Sequence, residues 1–196
     1  STGPRRVVEV PTASYSLTFS PDGSRFVYEA LQERCLVVVD ARTGVELTRS
    51  RRLGPANSSV SKLFWHPRRD LVARFNHEGS PIMVDLTTGQ VVSAPTPPKE
   101  MPRIIDVFDW HPVSELLAVH VSGRRIGLWD WQTNQLVTSP WVGHKVEGIV
   151  GRFHPQGDYF VSNDWSDTLR VWEVATGKLL LVQACSGNTL KCPKRW

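Results

Sequence analysis

Three histidines, His66, His111 and His154, each stand immediately before a proline, at intervals of 45 and 43 residues. Imidazoles can ligate a metal or move a proton, but several serve one ion only when they converge on it within a few ångströms. A near-constant interval does the opposite and deals one histidine to each structural unit. We read them as polar rings that fill a turn. His77 and His120 stand singly, and His144 follows Gly143 in a setting of its own. No Cys-X-X-Cys and no paired carboxylates at ligand spacing accompany any of them, so neither a metal nor another cofactor is expected.

Catalytic signatures are equally thin. The chain has no Gly-X-X-X-X-Gly-Lys-Ser/Thr loop, no Gly-X-Ser-X-Gly elbow and no His-Glu-X-X-His. Asp106 and Asp109 lie three apart in one extended run, which by strict alternation sends them to opposite faces. Asp40, Asp85 and Asp130 fall where extended runs end and are expected to cap turns. The chain is expected not to be an enzyme. Catalysis would require groups from several units to meet at one point.

Charge and cysteine usage narrow the classes further. The net charge is +4, but the basic pairs Arg5-Arg6, Arg51-Arg52, Arg68-Arg69 and Arg124-Arg125 fall in different connections and form no stripe interleaved with aromatics, which argues against nucleic acid. Cys35 opens an extended run and reads as a core thiol, while Cys185 and Cys192 lie in the tail. No apolar run is long enough to span a membrane as a helix, and a cytoplasmic protein is expected.

The elements that must position these residues follow from a repeat. An aromatic-X-Pro turn at Phe19, Trp65, Trp110 and Phe153 recurs at intervals of 46, 45 and 43 residues. Each is followed 20 or 21 residues later by an acid (Asp40, Asp85, Asp130, Glu173) and then by Thr-Gly or Thr-Asn. Between the marks run short segments rich in β-branched and aromatic residues, bounded by Gly, Pro, Asn or Ser, and none keeps a helical period. The spacing predicts an all-β chain, a β-propeller of four-stranded blades with one blade per repeat. The repeats span residues 12–182, at about 12–50, 51–94, 95–138 and 139–182, preceded by an outer strand of another blade in 1–11 and followed by a tail or the start of a fifth repeat in 183–196.

These marks resemble the WD40 repeat family, most closely in the fourth copy, with Gly143-His144, then Phe153-His154-Pro155-Gln156-Gly157-Asp158, then Thr168-Leu169-Arg170-Val171-Trp172-Glu173. The stretch Asn163-Asp164-Trp165-Ser166-Asp167-Thr168 is similar to a variant common in bacterial WD40 proteins. The resemblance implies a hydrogen-bond network joining a His ahead of the first strand, a Ser or Thr on the second, an Asp in the second-to-third turn and the Trp of the third. On the fourth copy it places these at His144, Ser162, Ser166 and Trp172, with serine where the family has Asp. No copy is expected to hold the full network, which leaves the blades to rely on apolar packing. Family rings most often have seven blades, and the expectation is an incomplete ring from a longer protein that self-associates through its terminal blades. The competing expectation is a closed ring of four.

What remains is recognition by loops held on a rigid frame. The long fourth-to-first connections, 51–58, 94–103 and 139–145, are expected at one end together with the second-to-third turns. That end would display Arg51, Arg52, Arg103, Arg124, Trp141, Lys145 and Trp165, cations and aromatics of the kind that dominate interfaces. The resulting expectation is a non-catalytic protein-interaction scaffold. The alternatives are part of an enzyme or sensor with its ligand at the propeller channel, and a purely structural segment.

Overall fold

Short runs of Val, Ile, Leu and aromatic residues, cut by Pro, Gly and Asn, favour short strands. The computed structural model describes residues 16–53, 62–75, 81–92 and 98–184, and it has strands and no helix among them. The first sheet holds β1 (Leu17–Phe19), β2 (Arg25–Ala30), β3 (Cys35–Asp40) and β4 (Glu46–Arg49). The second holds β5 (Lys62–Trp65), β6 (Leu71–Phe75), β7 (Ile82–Asp85) and β8 (Gln90–Val92). The third has β9 (Ile104–Trp110), β10 (Leu116–Val121), β11 (Arg125–Asp130), β12 (Gln135–Leu136) and β13 (Trp141–Val142). The fourth has β14 (Val150–Phe153), β15 (Tyr159–Asn163), β16 (Thr168–Glu173) and β17 (Leu179–Ala184). Each sheet pairs antiparallel, and the four consecutive strands of each come from one sequence repeat, with β13 added to the third sheet from the start of the fourth repeat.

The repeated residues earn their places in the turns. After each of the last three first strands a histidine caps its own turn: Nδ1 of His66, His111 and His154 accepts the N–H two residues on, at 3.1, 3.4 and 3.3 Å. Ser20 takes this role in the first copy, its Oγ accepting the Arg25 N–H. At the ends of β3, β7 and β11, Asp40, Asp85 and Asp130 accept the N–H groups two and three residues on. Gly44, Gly89, Asn134 and Gly177 then turn the chain at positive φ, the region glycine and asparagine tolerate best. That is the physical content of the Thr-Gly and Thr-Asn marks.

The chain divides into two compact units, Ser1–Ala94 and Pro95–Trp196. In the first, β1 lies beside β5 and an apolar layer of Val27, Leu36, Val38, Trp65, Val72 and Val84 fills the space between the sheets. A buried ion pair crosses the same layer, with Arg74 donating from Nε and Nη2 to Glu29 Oε1 at 3.0 and 2.7 Å. In the second, β9 lies beside β14, and Phe108, Ala118, Ile126 and Leu128 pack with Trp141, Phe160 and Trp172. Cys35 is buried, and that burial pushes its thiol pKa up; Cys185 and Cys192 lie outside the described residues, as does His77. No helix among the described residues is long and apolar enough to cross a membrane.

Two expectations need correction here. Register shifts in β9 set Asp109 opposite Ala118 and Asp106 opposite His120, residues two apart on β10. An extra residue at Phe108 therefore brings both carboxylates to one face instead of two. Asp109 is held there by the Phe153 N–H and by Arg152, yet burial outweighs both and raises its pKa. The second correction concerns Trp141. The outer edge of β11 pairs first with β12 and then, after Pro140, with β13, where Trp141 faces Ile126. Trp141 is thus strand and core, not loop.

Candidate functional site

Alternation along β15 directs Phe160 and Ser162 to the same side as Asp164, one residue past its end, and all three are buried. This row meets His144, delivered from the preceding connection, and Trp172 and Arg170 from β16. The bonds close as a relay. Trp172 Nε1–H donates to Ser162 Oγ at 2.8 Å, the Ser162 hydroxyl lies 2.8 Å from His144 Nε2, and His144 Nδ1 lies 2.8 Å from Asp164 Oδ2. Because a carboxylate only accepts, Nδ1 carries the proton and Nε2 takes the one from Ser162. Arg170 Nη1 donates to the same Asp164 oxygen at 2.9 Å, and the Ser166 N–H and hydroxyl occupy Oδ1. Gly143 is required beside it, since a Cβ there would stand 2.7 Å from the Trp172 ring.

The network expected at His144, Ser162, Ser166 and Trp172 therefore has a different acid. Asp164 supplies the carboxylate, and Ser166 supports it from outside without touching the imidazole. Tryptophan, serine, histidine and aspartate are all joined in this repeat. Alternation from Phe160 through Ser162 was the signal for Asp164; matching the turn by position missed it by two residues.

Ser162, His144 and Asp164 are connected as in a Ser-His-Asp nucleophile relay, but Ser162 is 1% exposed and its oxygen already accepts the Trp172 N–H. No substrate can approach it, and the relay is a fastening. Among the described residues no three His, Cys, Asp or Glu gather as a metal would need.

Burial lowers the His144 pKa below its free value of 6.5, the nearby Arg170 charge acts the same way, and the Asp164 bond only partly opposes them. The fold thus holds His144 neutral, and the unfolded chain takes up its proton first. Stability from this group is complete above pH 6.5 and is lost as the pH falls through the depressed folded value. Asp164 acts in the same direction at lower pH. Burial tends to raise its pKa, yet hydrogen bonds from Ser166 and His144 hold it below 3.8. Thermal melts of wild type and His144→Gln should diverge in pH dependence just below pH 6.5, the variant showing the shallower loss. Parallel curves would mean that His144 does not titrate on unfolding.

The buried network carries an exposed tip. Asp164 Oδ1 accepts the Ser166 N–H, and Asp167 stands at positive φ, which makes a tight turn with Trp165 at its apex. Trp165 is 78% exposed. Its backbone N–H donates to Glu147 O at 3.1 Å, and its indole lies over Gly148, where a Cβ would come within 2.0 Å of Nε1. Around it the second unit gathers further predicted residues. Arg124, in the β10–β11 turn, donates from Nη1 to Lys145 O at 2.7 Å, and Arg103 O accepts the Ser122 N–H of that turn at 2.9 Å. Arg103, Arg124 and Lys145 are all exposed.

The remaining candidates lie in the first unit and in the core of the second. Arg51 and Arg52 belong to the first unit and are exposed, with the Arg51 N–H donating to Gly89 O in the β7–β8 turn. Trp141 is only 4% exposed and stacks on Trp172 with centroids 5.7 Å apart, so it is no interface anchor. No protein-family model matches the chain, and no curated protein matches it.

Proposed function

We propose that this chain is part of a WD40-type propeller that docks a protein partner, without chemistry of its own, on the loop end of the second unit. The observation that carries the reading is Trp165, a large aromatic left in water at the apex of a turn whose base is locked into a buried hydrogen-bond network. An aromatic held rigid loses little entropy on binding, and Trp and Arg are the residues that most often anchor interfaces. The repeat marks and the four antiparallel sheets, each built on four consecutive strands, support the propeller. Trp165→Ala should weaken partner binding by about 2 kcal/mol, the size of a hot spot. A photo-crosslinking residue placed at position 165 should capture a partner that one at position 113, in the exposed β9–β10 turn, does not. Equal capture from both positions, competed equally by wild type and Trp165→Ala, would remove this end as the docking site.

A further inference from the structure

Resting on that reading, we infer that the occupant of this end is an acidic peptide segment carrying an apolar side chain, which seats on Trp165 while its carboxylates meet the neighbouring cations. The charge around the tip is lopsided. Lys145 lies on the connection that holds it, Arg124 bonds to that connection, and Arg125 and Arg103 lie at and beside the Arg124 turn, against Glu147 and Asp167, while Lys99 and Glu100 cancel one another. Two of these guanidinium groups spend hydrogen bonds on backbone carbonyls: Arg124 on Lys145 O, and Arg125, through Nε, on Ser122 O. A neutral acceptor positions a guanidinium without cancelling its charge, so both remain able to attract carboxylate at their free N–H edges. Arg124 is also fixed in direction, because its backbone sits at φ 58° and its side chain is tied down at the far end. Preset cations of this kind lose little entropy when a partner arrives.

The same inventory weighs against a nucleic acid. Glu147, with its carboxylate 3.6 Å from His120 Nε2, and Asp167 stand on the two segments that hold the aromatic and add negative charge where a phosphate backbone following a stacked base would be repelled. Binding of single strands also uses successive stacking platforms, and here one exposed indole stands at the tip. A peptide can place its apolar residue between these acids and run its own acids toward Arg124 and Arg103.

Selection from a randomised peptide display library against the immobilised full chain tests this, followed by fluorescence anisotropy of the enriched peptides. The expected result is enrichment of sequences with Asp or Glu beside Leu, Ile or Phe, whose affinity falls about tenfold or more between low and moderate salt. Trp165→Ala should abolish the enrichment. The paired exposed changes Arg124→Glu and Lys145→Glu should turn the selection away from acidic sequences, with an unaltered circular dichroism spectrum. Enriched peptides that need Trp165 but are neutral or basic would overturn the acidic partner and leave the docking end intact. Enrichment indifferent to Trp165 would overturn both, and so would no enrichment at all. An oligothymidylate strand binding as tightly as the best peptide would give the surface to nucleic acid and end this inference.

Discussion

Replacing Trp141 by alanine is expected to destabilise the protein by about 3–5 kcal/mol, the cost of emptying a large buried aromatic site. The indole stacks on Trp172, meets Phe160 edge-on at 6.0 Å between centroids, and covers the layer between the third and fourth sheets. Trp165→Ala, by contrast, removes a side chain that water already surrounds and should change stability by less than about 0.5 kcal/mol. Urea unfolding of the two variants, followed by far-ultraviolet circular dichroism, reads the difference directly. Trp141→Phe should be far milder than alanine, because the Trp141 indole N–H is buried without a hydrogen-bond partner and its removal forfeits no bond. Comparable unfolding midpoints for Trp141→Ala and Trp165→Ala would contradict the packing. The prediction also bears on function, since any loss of partner binding in Trp141→Ala would report unfolding and not a lost contact.

The contrast between these two tryptophans marks where the sequence stops being readable. Both follow short polar or proline-containing breaks, and both look like loop aromatics. β12 ends at Leu136, yet the chain returns to the edge of β11 directly after Pro140, and a return of that kind depends on a neighbouring strand that local residue types do not reveal. The bulge at Phe108 hides in the same way. Alternation holds only while the register does, and one inserted residue moves Asp106 and Asp109 onto a common face. What local chemistry alone decides was legible. The His-Pro turns cap themselves, the aspartates that end third strands bind the next N–H groups, and the residue after each Thr takes a left-handed conformation. Those interactions lie within a few residues of one another, so the repeat of residue types is also a repeat of structure. Of the site, Trp165, Arg124, Arg103 and Lys145 could be placed on one end from strand order and Asp164 from alternation, while the bond that ties Asp164 to the base of the Trp165 turn could not be read.

That foundation sets the second large effect. Asp164→Ala should cost about 3–5 kcal/mol, because it strands Arg170 and the His144 N–H in a site from which water is excluded. Ser166→Ala removes only the outer support of the same carboxylate and should cost about 1 kcal/mol. If Ser166 were the network acid's substitute, the order would reverse, so the pair of unfolding experiments decides between the two assignments. Arg170→Met in the Asp164→Ala background should recover part of the loss, since the uncompensated buried charge disappears with it. Recovery would show that the penalty comes from the stranded guanidinium and not from the cavity alone. Because the Asp164 carboxylate also binds the Ser166 N–H at the base of the Trp165 turn, Asp164→Ala should loosen the exposed tip as well as the core. Its Trp165 fluorescence anisotropy should fall under conditions where the sheets remain folded. A tip that stays rigid without Asp164 would separate the buried network from the Trp165 turn above it.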